Sequence, residues 1–235
     1  MMPTAIETNL LAIREKIARA AEHAGRNPAE ISLVAVTKTC SPEVIRAAYS
    51  AGLRDFGENR LQAAIPKIDA LRNLANLRWH MIGHLQSNKA RKCADYFHMI
   101  QSVDAFELAQ RLSFQGAQTN RPIRILVEVN TSGEATKFGY QPENLLKEIE
   151  RLSTLPYLQI AGLMTIGPLT GEERRIRQAF VVLRELFEKI RSLPGLREDF
   201  KILSMGMTDD FELAIAEGAN MLRIGRGLFG ERRMT

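Results

Sequence analysis

Strand-like and helix-like segments alternate along this chain without a break, and that alternation restricts the fold more than any single motif. "ISLVAVTK" is apolar and rich in β-branched residues. "DFGEN", "LRWHMIG", "HMIQSV", "PIRILVEVN", "LQIAGLMTI", "FKILSMG" and "NMLRIGRGLFG" continue the strand series, each set off by a segment of helical spacing. Strands are expected at about residues 31–37, 54–57, 77–82, 97–101, 123–129, 158–164, 201–205 and 221–224, with seven helical segments between them. Successive strands separated by a helix pair in parallel, because a parallel crossover takes a dozen or more residues. Eight such units in about 200 residues is the count of a (β/α)8 TIM barrel. An open doubly wound sheet shares the alternation, but no G-x-G-x-x-G follows the first strand. The expectation is one α/β barrel domain over residues 1–235 with an additional N-terminal helix, whose apolar stripe is Leu10, Ile13, Ile17 and Ala20 or Ala21.

Local signals support the segmentation. Ser41 is placed to cap a helix with Pro42 at its first position, and Gly52 stops it. Asp104 with Glu107 three places on has the outline of a capping box. Pro66 is expected to break or kink the helix after the second strand. Acidic residues at 209 and 210 open the helix after the seventh strand.

Charge and cysteine usage narrow the function. The net charge of +5 is spread along helices rather than massed in a tail, which argues against nucleic acid. Cys40 and Cys93 form no disulfide framework, and no segment resembles a secretory signal or a bilayer span of about 20 apolar residues. A cytoplasmic protein with no membrane partner is expected. His80 and His84 lie four apart, but the strand context and Gly83 spoil the helical face a metal pair needs, so no metal site is expected.

In a barrel the site forms at the C-terminal strand ends. Lys38 ends the first strand there. Two readings stand: a desolvated amine that attacks carbonyls, or a lysine that snorkels to solvent. The loops after the last two strands carry Gly206 and Thr208, then Gly225, Gly227 and Gly230. Exposed backbone amides of this kind bind phosphate, and Ser204 is placed to donate to the same group; turn geometry alone is the competing account of the glycines. Arg223 precedes the last glycine cluster and should face a ligand held there, or else pair with a buried carboxylate such as Glu128.

Together "LVAVTK", "FGENR", "WHMIGHLQSNK", "TKFG", "GLMTIG", "LSMGMTDDFELAIAEGA" and "RIGRGLFG" resemble, in order and over nearly the whole chain, the pyridoxal-phosphate homeostasis family (YggS/PROSC-type). The resemblance implies the barrel of the alanine racemase N-terminal domain. It implies that Lys38 carries pyridoxal 5′-phosphate as a Schiff base, and that Ser204, Gly206, Thr208, Gly225 and Arg226 hold the phosphate. Arg223 would face the pyridine nitrogen, Asn59 and His80 would lie near the ring, and Met205 would line the pocket. Lys137 and the Gln86, Asn88, Lys89 stretch are family residues around the same pocket. The implied role is intracellular vitamin B6 homeostasis without established catalysis, with pyridoxal-phosphate-dependent apoenzymes as expected partners. The alternative is a compact racemase-like enzyme acting on an amino acid. Related racemases draw a catalytic tyrosine from a second domain of the partner subunit. This chain ends at Thr235, and Tyr49, Tyr96, Tyr140 and Tyr157 offer no clear replacement, so a monomer without a dedicated acid or base is expected.

Overall fold

A computed structural model of the chain describes residues 4–193 and 199–230. Eight strands close into one parallel barrel in sequence order: β1 (Ser32–Val36), β2 (Asp55–Glu58), β3 (Arg78–Met81), β4 (Met99–Val103), β5 (Ile123–Glu128), β6 (Leu158–Met164), β7 (Ile202–Ser204) and β8 (Met221–Ile224). Pairing of β1 with β8, Ser32 opposite Met221, completes the ring. Closure leaves no open edge, and parallel order brings all eight C-terminal strand ends to one face.

Among the described residues, seven α-helices connect the strands, as expected: α2 (Pro42–Ser50), α3 (Leu61–Ala70), α4 (Ala90–Tyr96), α5 (Phe106–Thr119), α6 (Leu145–Ser153), α7 (Glu173–Arg191) and α8 (Phe211–Ala216). The N-terminal helix α1 (Ala5–His23) buries Leu10, Ile13, Ile17 and Ala21, and Thr4 and Glu7 close a capping box at its start. Two elements among the described residues lie outside that expectation: a single 3-10 turn, Pro28–Glu30, before β1, and another element after the last strand. The last strand stops at Ile224, and Arg226–Phe229 turns into a short helix, α9.

Three local expectations change. Helix α5 begins after Ala105 with no side-chain cap, because the Asp104 carboxylate is engaged by His84 Nδ1 at 2.7 Å. Pro66 sits inside α3 without ending it. Lys38 lies in the turn beyond β1 rather than on the strand itself.

Side-chain alternation divides the core in two. The large cluster joins outward strand residues such as Phe56, Trp79 and Leu222 to the helices, while a smaller one of Val34, Met99, Leu126, Ala161, Met164 and Met221 fills the lumen. Register shifts interrupt β4–β5 and β5–β6, the second between Ile125 and Leu126. Gly162 serves the β6 side: its φ is +151°, and a Cβ there would lie 1.8 Å from the Ile202 carbonyl oxygen of β7. Only glycine allows that approach. Gly162→Ala is expected to destabilise the fold by about 3 kcal/mol or more, since it adds both strain and a backbone clash. Urea unfolding with the midpoint unchanged would contradict this account of the bulge.

Candidate functional site

A continuous polar chain crosses the lumen beside the apolar cluster. Arg223, 4% exposed on β8, donates from Nη1 to Ser204 Oγ at 2.7 Å and from Nη2 to the Thr165 carbonyl at 2.7 Å. Ser204 Oγ donates to Gln101 Oε1 at 2.7 Å. Gln101 therefore turns its amide nitrogen to His80 Nδ1, 3.0 Å away, so that His80 carries its proton on Nε2 and donates to Asp55 Oδ1 at 3.0 Å. Arg78 closes the sequence with a two-pronged contact to the same carboxylate, Nε to Oδ1 at 2.6 Å and Nη2 to Oδ2 at 2.5 Å. Every donor in the chain points away from Arg223 and toward Asp55.

These groups shift one another. Burial alone would raise the Asp55 carboxyl, but the hydrogen bonds from Arg78 and His80 and the charge of Arg78 hold it well below the usual carboxylate range. Burial pushes Arg223 down to about 10, against the opposing pull of Glu128 and Asp210. It remains a cation at neutral pH. Burial, reinforced by Asp104 and opposed by Arg223, pushes Glu128 up to about 7. Asp210 is likewise raised by burial, although it accepts the Met207 N–H at 2.5 Å.

The C-terminal face above this chain holds groups of a different kind. Lys38 is exposed in its turn, and neither its ammonium nor the Asn59 side-chain amide has a partner among the described residues. After β7 and β8, the backbone N–H groups of Thr208, Asp209 and Gly225 also lack protein acceptors among the described residues. Unpartnered amides from two adjacent loops, with an aldehyde-reactive amine at the same end of the barrel, are the donor set an aldehyde-bearing phosphate ester needs. Pyridoxal phosphate fits this chemistry.

The rim on the other side is tied shut between loops. Lys137 Nζ reaches Glu134 Oε1 at 2.8 Å and the Gly167 carbonyl at 2.9 Å. Phe138 stacks on His84 with centroids 3.7 Å apart and planes 9° from parallel, and Asp104 holds the His84 ring. The loops after β3, β5 and β6 are thereby linked. Among the described residues, no three His, Cys, Asp or Glu side chains gather as a metal site, and no helix is long and apolar enough to cross a membrane.

Several residues singled out from sequence take other parts. Ser204 Oγ is engaged by Gln101 and Arg223 in this structure. Both ring nitrogens of His80 serve the lumen chain. Met205 is fully buried in the outer cluster with Phe211 and Ala214, so it faces the helices and does not line the lumen. Gly206, with φ of +92°, packs where a Cβ would come 2.6 Å from Ala214 Cβ, so close packing explains it. Thr208 Oγ1 accepts the Gly227 N–H at 3.2 Å, and the Arg226 guanidinium pairs with Asp209. Arg223 does not form an ion pair with Glu128; the two interact only through space. Gln101 and Asp55 were missed, although a glutamine inside the apolar run "HMIQSV" signals an inward polar partner.

The family model described as alanine racemase, N-terminal domain, matches residues 8–233. The pyridoxal phosphate homeostasis protein of Pseudomonas aeruginosa is 45% identical over 97% of this chain and 96% of that protein. The structure of PipY from Synechococcus elongatus with PLP bound is 38% identical, covers 96% of this chain and 100% of its own, and superposes with a TM-score of 0.84. An alanine racemase from Clostridium difficile shares the fold at 18% identity, with a TM-score of 0.74 over 97% of this chain and 57% of the racemase.

Glu128 generates a pH prediction. Its folded pKa of about 7 lies above the ordinary 4.5, so folding favours the protonated form. That contribution is complete below pH 4.5 and is lost as pH rises through about 7. Glu128→Gln is expected to flatten this decline and to exceed the wild type in stability above pH 7 by about 2–3 kcal/mol. Thermal melts from pH 4 to 8 that run parallel for the two proteins would contradict it.

Proposed function

Because the chain belongs to the pyridoxal-phosphate homeostasis family, we propose that Lys38 holds pyridoxal 5′-phosphate covalently at the C-terminal mouth of the barrel. The protein binds this cofactor and serves vitamin B6 homeostasis, as a holder of the cofactor and not as a dedicated amino-acid enzyme. The observation that carries the site assignment is the set of unpartnered donors at one face: the Lys38 amine and the backbone amides of Thr208, Asp209 and Gly225.

Bound pyridoxal phosphate supplies an aldehyde that condenses with amines and a ring that withdraws electrons. Lys38 would attach the aldehyde carbon. The amides of Thr208, Asp209 and Gly225 would bind the phosphate, with Arg226 contributing charge from the same loop. Asn59 would offer its free amide at the ring edge. Arg223, cationic at neutral pH, would donate to the pyridine nitrogen and disfavour protonation there, which weakens the electron sink that carbanion chemistry uses. Three of its five N–H donors have no acceptor among the described residues. His80, the histidine of the lumen chain, has both nitrogens engaged and offers no free base.

The same reading assigns a cytoplasmic monomer that exchanges cofactor with pyridoxal-phosphate-dependent apoenzymes. Borohydride treatment of the yellow protein should fix one pyridoxyl phosphate mass on Lys38, and Lys38→Ala should abolish that adduct. An undiminished adduct in the variant would overturn the assignment. Incubation with the common amino acids should give no racemisation or keto acid beyond that of free cofactor. Turnover well above that level would replace the holder with a compact enzyme.

A further inference from the structure

Behind the Lys38 turn lies a buried ion pair to which neither the sequence motifs nor the cofactor site assigns a role. Glu58, the last residue of β2, is completely buried and faces α3. Its Oε1 accepts from Lys67 Nζ at 2.9 Å and from Thr37 Oγ1 at 2.7 Å. Lys67 comes from the last turn of α3, and its ammonium donates a second bond, of 2.8 Å, to the Thr37 carbonyl.

That carbonyl is the one that closes the turn around Lys38. The Cys40 N–H donates to it at 2.9 Å, so residues 37–40 form a four-residue turn with Lys38 at its second position. Thr37 is also held by its own N–H, which donates to the Gly57 carbonyl at 2.9 Å. The donor, the acceptor and the hydroxyl of Thr37 are all fixed by β2 and α3, immediately before the residue that reacts. By contrast, the Lys38 side chain has no partner of its own among the described residues.

We infer that Lys67 and Glu58 are positioning residues for Lys38: the ion pair clamps the turn-closing carbonyl and so sets where the reactive amine projects over the barrel mouth. A surface lysine with four rotatable bonds gains direction only from its backbone, and this backbone is held by a charged donor from outside the ring of strands. A purely structural ion pair would need no bond to the turn. Glu58 Oε2 has no partner, so the pair is not optimised for stability alone. The burial that raises the Cys40 thiol to about 11, against the pull of Lys67, keeps that neighbouring thiol protonated and inert beside the clamp.

The inference rests on the reading that Lys38 holds the cofactor, and the wild-type borohydride adduct tests that reading by itself. Its absence from Lys38 would sink both. With the adduct present, three quantities are compared in wild type, Lys67→Met and the double variant Lys67→Met/Glu58→Gln. These are the rate of pyridoxal phosphate loss to a hydroxylamine trap, the visible circular dichroism of the bound cofactor, and the melting temperature of the cofactor-free protein. Lys67→Met is expected to lose the cofactor about tenfold faster, as befits one charge-assisted bond removed from the turn, with weakened dichroism. It also leaves a buried carboxylate unpaired and should melt lower. The double variant removes that charge and is expected to regain melting temperature while cofactor loss stays fast, because the Thr37 carbonyl still lacks its ammonium. Recovery of both retention and dichroism along with stability would overturn the positioning role. So would a single variant that matches wild type in rate and dichroism. If Lys67→Met does not fold, the double variant alone decides.

Discussion

Arg223 carries a positive charge into the barrel lumen, where only protein groups can take the place of its water. A buried cation is tolerated when its donors find acceptors and a compensating charge lies within reach. Here the compensation is distributed. Ser204, Gln101 and His80 hand donor direction from β8 through β7, β4 and β3 to the Asp55 carboxylate on β2, which Arg78 neutralises. The alternation of strand side chains supplies these positions, and the tautomer of His80 and the orientation of Gln101 follow from the single fact that Arg223 can only donate.

This rigid lower layer contrasts with the mouth above it. At the mouth stand backbone amides and the Lys38 and Asn59 side chains, which have no partners among the described residues, and the turns that carry them are held from behind. Asp210 holds the loop after β7 through the Met207 N–H, Thr208 ties that loop to Gly227, and Lys67 holds the turn before α2. Preorganised loops with unmet donors are what anion recognition requires, since the donors are oriented during folding. The barrel thus separates two tasks: side chains inside it keep a guanidinium in place, and loops at its end keep amides available.

Much of the architecture was legible in the residue pattern. Apolar runs of strand length alternating with helical spacing mark all eight strands, and parallel order puts Lys38, Asn59, Thr208 and Gly225 at one end of them. Glycine reading was less secure. Gly206 and Gly225 look alike in sequence, yet Gly206 combines a φ of +92° with a 2.6 Å approach of Ala214, whereas a Cβ at Gly225 would meet Val36 at 3.3 Å. Met205 shows the limit of motif reading as well, since its neighbours belong to the ligand face while its own side chain packs against helices. Asp104 had the spacing of a helix cap, but a histidine two loops away in the sequence outcompeted the local amide.

Sequence by itself determined the fold class and the end of the barrel at which chemistry occurs, because periodicity and crossover length are local properties that a linear chain displays. It also supplied the family through ordered motifs around Lys38 and the last two loops. Tertiary structure alone decided which polar residues are available and which are already engaged. Ser204, His80 and Arg223 lie far apart in the chain and become one hydrogen-bonded series only when closure brings β3, β4, β7 and β8 around a common lumen. Likewise Glu58 and Lys67 read as ordinary charges on a strand and a helix until burial removes water and leaves the Thr37 carbonyl as their shared neighbour. Hydrogen-bond partners across a barrel are set by closure geometry, which no local spacing encodes.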